Sequence, residues 1–363
     1  MSIRNNRTTT TSGVKDKYRT FLFRKLLILE VSVLVLILLI VWSVSIGAAG
    51  LSFGEVTLAL LGRFFHSITV PEFNYSIVWD SRMPRVMLAV LAGMGLSVSG
   101  VLMQGITGNP LVSPFTLGVS SAAALGASIA ILFGVPLFVQ FSETYVIILT
   151  AFMFCIVSTL LVFLLSRIKS SSATTLVLAG TALNYFYSAI TSVLHYFASE
   201  EDLMAMVHWT FGTFTGVTWS EVAVVSVVLL ICMPLCFKEV WNLNAMTAGG
   251  DEVARSLGVN VGRVRTISVV LSSLITATVI SFTGVIGFVC LVAPHLARYV
   301  IGSDHRFLLP LAATFGAMLT VGSDVVGRIV LEPIILPVSI VVSFVGVPLF
   351  IYMISTNRTD FWK

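Results

Sequence analysis

Charge is what this chain lacks: only 10% of its 363 residues are Asp, Glu, Lys or Arg. With 57% apolar residues and a mean hydropathy of +1.00, the deficit excludes an ordinary soluble domain, in which about a quarter of residues are charged. Cysteine is scarce as well. Cys155, Cys232, Cys236 and Cys290 all fall in apolar runs, and no histidine lies near Cys232 and Cys236 to complete a metal site, so small apolar fillers are expected. The histidines His66, His195, His208, His295 and His305 show no metal-ligand spacing, and no metal is expected in this chain. No GxxxxGK[ST] phosphate loop occurs and no lysine follows a glycine, so the chain does not hold ATP by that motif. Only two carboxylates, Glu30 and Asp324, fall well inside apolar runs, and Asp324 has Arg328 one helical turn away for local pairing. That paucity argues against a gradient-driven carrier, and nothing resembles an enzyme's catalytic constellation.

What is present is apolar length. A membrane span needs about 20 residues, and ten runs qualify, at roughly 26–47, 84–106, 113–134, 144–166, 173–197, 220–237, 267–283, 285–301, 307–329 and 335–355. The pattern predicts an all-α integral membrane protein of about ten helices in one domain, 26–356. The basic tail 1–25 is expected to be disordered, and 357–363 forms a short second tail. Runs seven and eight are nearly continuous; Thr283, Gly284, Gly287 and Pro294 mark a corner between them. Basic residues precede the first run as in a signal peptide, but about 21 apolar residues exceed a usual signal core and predict a retained anchor.

Of the 21 Lys and Arg, only Arg63, Arg82, Arg85 and Arg328 fall on one side of this topology, and acidic residues gather there. The positive-inside rule then puts both termini in the cytosol. The net charge of +4 is therefore a topology signal and no reason to invoke nucleic acid. Small residues recur every fourth position, at Gly118, Ala122, Gly126 and Ala130 and at Ala89, Gly93 and Ser97, predicting stripes where helix backbones approach closely. Gly100–Gly118 aligns without gaps to Gly284–Gly302, five spans apart, which suggests an inverted repeat of two five-helix halves.

The polar stretch Lys238 to Arg265, reading GGDEVARSLGVNVGRVR at its centre, falls on the cytosolic side. Gly249 and Gly250 break the chain, Asp251 is placed to cap a short helix DEVARSL, and Gly258 to end it in a left-handed turn. Val253 and Leu257 share one face, leaving Asp251, Glu252 and Arg255 for solvent or a partner. On these residues alone the segment is either a connector or a docking element.

WDSRMPRVMLAVLAGMGLSVSGVLMQGITGNPLVSPFTLGVSSAAALGA from Trp79, GGDEVARSLGVNV, TGVIGFVCLVAPHLAR, GSDHRFLLPLAATFGAML and SDVVGR closely resemble the permease subunits of ABC importers for iron-siderophores, haem and cobalamin, the FecCD type. The likeness covers nearly the whole chain from Leu26 onward. It implies that Gly250, Asp251, Glu252, Ala254, Arg255, Leu257 and Gly258 form the element that docks into an ABC ATPase subunit. Two such subunits, holding ATP and magnesium, would serve a complex of two permease subunits, identical or related; this chain itself needs no cofactor. The resemblance also implies that Arg82, Arg85 and Arg328 receive acidic residues of an external substrate-binding protein; on the residues alone they could equally anchor helices. Gln104 and Asn109 are candidates for a cytosolic gate, and Asn184, with Tyr185 and Tyr187, is a polar site facing either a neighbour helix or the path. Family members commonly carry an arginine where this chain has Gly108. The implied setting is the cytoplasmic membrane of a prokaryote and the implied cargo a metal chelate, with ferric siderophore first and haem, cobalamin or an oxyanion as alternatives. An autonomous secondary transporter is the reading from another class.

Overall fold

A backbone inside a bilayer must satisfy its own hydrogen bonds, and the ordered elements of this chain are helices. The computed structural model describes residues 6–47, 50–65, 69–137, 142–168 and 173–356, so the tail 357–363 lies outside it. The helices are α1 (Asn6–Ser45), α2 (Phe53–Gly62), α3 (Glu72–Ser76), α4 (Met83–Thr107), α5 (Val119–Leu137), α6 (Glu143–Ile168) and α7 (Ala173–Phe197). They continue as α8 (Glu200–Thr210), α9 (Trp219–Lys238), α10 (Val240–Ser256), α11 (Val261–Thr283), α12 (Val289–Ile301), α13 (His305–Ile329) and α14 (Val338–Thr356). Every one of the ten expected runs is helical. Seven are long and apolar enough to cross a membrane: α1, α4 with the turns before it, α6, α7, α9, α11 and α13. The other three are the shorter apolar helices α5, α12 and α14.

The centre is α4, whose most apolar window is 83% buried, against 72% for α11, 67% for α13 and only 17% for α1. The small-residue stripe explains how α4 gets there. A Cβ on Gly93 would sit 2.3 Å from the Gly316 carbonyl oxygen, so only glycine lets α4 and α13 touch at this point. Hydroxyls stitch the same seam: Ser97 Oγ donates to Ala312 O at 2.5 Å and Thr320 Oγ1 to Ala89 O at 2.7 Å. The second stripe works likewise, a Cβ on Gly126 falling 2.7 Å from Thr150 O of α6. All four cysteines are free and buried.

Two expectations change. The basic tail, expected to be disordered, continues α1 as helix from Asn6 onward. No proline interrupts it, and its inner part is held by contact: Lys25 is 8% exposed with its Nζ 4.3 Å and 4.8 Å from the rings of Phe21 and Phe307, while Leu22 and Leu29 pack beside Leu308 and Leu311. The repeat alignment is out of register. Gly100 lies mid-helix whereas Gly284 ends α11 with φ 72°, and Pro110 lies in the turn after α4 whereas Pro294 lies inside α12. The glycine equivalent to Gly284 by position is Gly108, which ends α4 with φ 60°. Still, α4 and α11 run antiparallel, as an inverted pair would: Arg265 near the start of α11 reaches Ile106 near the end of α4.

The corner between runs seven and eight falls at 284–288, where both Gly284 and Phe288 have positive φ. A Cβ on Gly284 would lie 2.3 Å from Trp209 O.

Candidate functional site

At one end of the bundle, the stretch expected to be a polar loop is helical almost throughout. α10 has two halves, separated at Gly250 (φ 75°, ψ −172°), a backbone conformation closed to other residues. The first half escaped the sequence reading because of its asparagines, although Val240, Leu243 and Met246, spaced for one helix face, are 3%, 0% and 4% exposed. It is docked by polar contacts to the start of α13. Asn244 Nδ2 donates to Asp304 Oδ1 at 3.0 Å and Asn244 Oδ1 accepts from His305 N at 2.8 Å. The Arg306 guanidinium stacks 4.6 Å from the Trp241 ring. Burial raises the Asp304 carboxyl, but hydrogen bonds from Arg306 and Asn244 outweigh it and bring the pKa down to about 2.

The second half, Asp251 to Ser256, ends as expected. Val259 N donates to Ala254 O and Gly258 N to Arg255 O, both at 3.0 Å, with Gly258 at φ 86°: the paired C-terminal hydrogen bonds of a Schellman motif. Ala254 is fully buried, whereas Val253 and Leu257 are 44% and 66% exposed. The helix thus rests on its alanine and turns its larger apolar side chains outward, with Glu252 and Arg255 exposed beside them. Asp251 departs from expectation. Its carboxylate does not cap the helix; both oxygens accept from Arg265 Nη2, at 2.9 Å and 3.0 Å, and Arg255 stands 3.8 Å off. An arginine fourteen residues ahead offers a charged donor, which outcompetes a neutral amide.

At the opposite end, Arg82, Arg85 and Arg328 do come together, but facing inward. Arg85 Nη2 binds Asp324 Oδ1 at 2.8 Å and Arg328 Nε lies 3.1 Å from Oδ2, with the carboxylate 1% exposed. Arg82, 7% exposed, donates to Val44 O, Ser45 O and Gly47 O, and Arg328 to Ser43 O and Ile46 O. These are the orphan carbonyls at the end of α1, where the helix dipole is negative. Three guanidiniums therefore share one carboxylate and one helix C-terminus. The expected docking surface is not presented in this conformation; the anchoring alternative describes the arginines here, and Asp324 pairs with Arg328 as expected.

The gate and path candidates scatter. Gln104 is wholly buried and accepts from Arg298 Nη2 at 2.9 Å. Asn109 is exposed, but its Oδ1 closes a turn on Leu111 N at 2.9 Å. The neighbouring Gly108 is left-handed, at φ 60°, a strained conformation for any other residue. Asn184 is half-buried on α7, with Tyr185 exposed and Tyr187 buried.

α7 itself carries the feature the sequence reading missed. Its mean hydropathy is 1.3 with 22% of the window buried, whereas the similarly exposed α1 and α6 both reach 2.8. Its exposed surface divides into an apolar strip, Phe186, Val193 and Phe197, and a largely polar one, Thr174, Thr181, Tyr185, Ser188 and Ser192, which Leu178, 65% exposed, interrupts. Period-3.6 spacing of these hydroxyls was visible in the sequence, hidden by averaging over the whole run.

The sequence matches the FecCD transport family over residues 35–356. It is 35% identical to the hemin transport system permease of Yersinia pestis, over 92% of this chain and 96% of that one. It is 32% identical to the molybdate import system permease of Haemophilus influenzae, over 92% and 95%. Among solved structures it resembles an ABC transporter, taken to be of the metal-chelate type and in an inward-facing conformation, with 31% identity and a TM-score of 0.79 over 91% of this chain and 99% of that one.

Proposed function

The chain belongs to the FecCD transport family of ABC importer permeases, in which ATP hydrolysis is the work of a separate subunit, and from that premise we propose that it forms a metal-chelate path with a second permease subunit, identical or related. The proposed setting is a prokaryotic cell, with the α10 end facing the cytosol, an orientation the positive-inside count supports, and the second half of α10 docking into a partner ATPase that supplies ATP and magnesium. The observation that carries the docking reading is the outward-facing pair Val253 and Leu257. Exposed aliphatic side chains between charged neighbours on a rigid, capped helix suit insertion into an apolar cleft.

The polar strip of α7 supports the shared path. The exposed hydroxyls of Tyr185 and Ser188 favour an aqueous face over lipid, and a second subunit facing the strip would close a largely hydrophilic wall. Thr181 and Ser192 fold back on the carbonyls four residues earlier, both at 2.9 Å, so these two hydroxyls do not project as fixed ligands. That suits passage of a bulky chelate better than retention of one. Ferric siderophores are the proposed cargo, delivered by an external binding protein. Haem and molybdate transport belong to relatives of nearly equal identity, so the test is direct. Thermal stabilisation of the cognate binding protein by ferric siderophore, and not by haemin, cobalamin or molybdate, is expected; stabilisation by one of the others alone would reassign the cargo.

Docking is tested by the double substitution Arg255→Glu and Leu257→Glu in the co-expressed complex. The ATPase is expected to be lost on purification while the permease stays folded. Retention of the ATPase with normal coupling would overturn the docking assignment.

A further inference from the structure

The docking helix touches the bundle through few groups, and one of them continues inward. We propose that Arg265 is a positioning residue that transmits displacement of the docking helix to the inner end of α4. The inference rests on the docking reading above.

The geometry is a single buried nitrogen shared by two elements. Arg265 Nη2 donates to both Asp251 oxygens, at 2.9 Å and 3.0 Å, and over a longer 3.4 Å to Ile106 O. Its side chain is 6% exposed, against 36% for Asp251, so the carboxylate is the accessible partner and the arginine the fixed joint. Ile106 O needs such a donor. Its regular helical partner would be the N–H of residue 110, and Pro110 has none. The helix dipole also concentrates negative charge at this end of α4. Arg265 thus satisfies two acceptors of like sign, one on the moving helix and one on the helix at the centre of the bundle.

The chain of contacts continues from α4 to α12 through Gln104, two residues before Ile106, which accepts from Arg298. Gln104 Nε2 is buried without a hydrogen-bond partner among the described residues. A buried amide left half-satisfied is costly, so an arrangement that supplied its missing acceptor would be favoured over this one. The joint therefore connects to a contact that has somewhere to go.

Pulsed electron paramagnetic resonance of the complete complex with its ATPase, in nanodiscs, tests this without knowledge of the cargo. The native cysteines are all buried, so nitroxides attach to cysteines placed at the exposed Leu111, just beyond α4, and Leu164 on α6. In the otherwise unaltered protein, trapping with ATP and vanadate is expected to shift the distance between them. Arg265→Gln is expected to keep the ATPase bound and hydrolysing while the shift disappears, and Arg265→Lys to restore it at least in part. Should Arg265→Gln fold poorly, Arg265→Met, which keeps the buried stem, is expected to give the same loss. A full shift in either neutral variant, or no shift in the unaltered complex with its ATPase bound, overturns the proposal. Failure of the ATPase to bind the unaltered permease would instead sink the docking reading.

Discussion

The two ends of the bundle use arginine in opposite ways. At the α2 end Arg82, Arg85 and Arg328 are turned in and spent on Asp324 and the carbonyls closing α1. At the α10 end Arg265 joins two elements, while Arg255, with 63% of its side chain exposed, stays outward beside Val253 and Leu257. The contrast follows from what each arginine can reach. Near a helix C-terminus the nearest acceptors are orphan carbonyls, and a guanidinium with five donors satisfies several at once. A two-turn helix seated on Ala254 and tied inward by Asp251 leaves its other side chains facing out. One end is built to hold its shape and the other, on the proposed docking, to be held.

That comparison breaks most easily at Asp324. Asp324→Asn leaves Arg85 and Arg328 buried without their shared counter-charge, at a cost of about 3–5 kcal/mol. A large fall in melting temperature in detergent is the expected outcome, and an unchanged value would mean that the cluster is wetter than the 1% exposure of its carboxylate indicates. Arg85→Gln removes one arm and leaves Arg328 on the carboxylate, so a smaller loss of about 1–3 kcal/mol is expected by the same measurement.

Much of the architecture was legible because membrane helices announce themselves by length. The glycine stripe on α4 could be read as a contact because nothing but another backbone fits against it. The corner at Gly284 was marked by its glycines, although Pro294, counted with them, belongs to α12. What stayed hidden depended on partners remote in sequence. Arg85 and Asp324 meet across the α4–α13 seam, and no local spacing encodes that. Asp251 was placed to cap a helix because its neighbours suggest a cap, and only the fold brings Arg265 within reach. The reverse holds for the first half of α10, where Val240, Leu243 and Met246 carried a helical signal that polar composition obscured.

At the α10 end the effects should be smaller and of another kind. Gly258→Val forces a β-branched residue into φ 86° and is expected to cost about 1–2 kcal/mol. Because Gly258 N and Val259 N close the docking helix, ATPase binding should fall by more than the melting temperature suggests. Val253→Ser removes only exposed apolar surface, so stability should move by less than about 0.5 kcal/mol while co-purification of the ATPase drops. Equal losses in both measurements would show that the face is packed rather than offered.

The mildest probe is pH at the seat of α10. The Asp304 carboxyl, at about 2 in the folded chain, lies below its ordinary value of 3.8. A depressed carboxylate contributes stability that is fully present above the ordinary value and is lost as pH falls toward the folded one. The window is therefore roughly pH 4 down to pH 2, with no change expected near neutrality. Asp304→Asn should flatten the part of the acid limb that Asp304 contributes to the melting curve in detergent. It keeps an acceptor for Arg306 N and Asn244 Nδ2 but discards the charge, so the difference between the two acid limbs isolates electrostatics from hydrogen bonding. Identical limbs would mean that Arg306 is held over Trp241 by stacking alone and that the first half of α10 owes its seat to Leu243 and Met246.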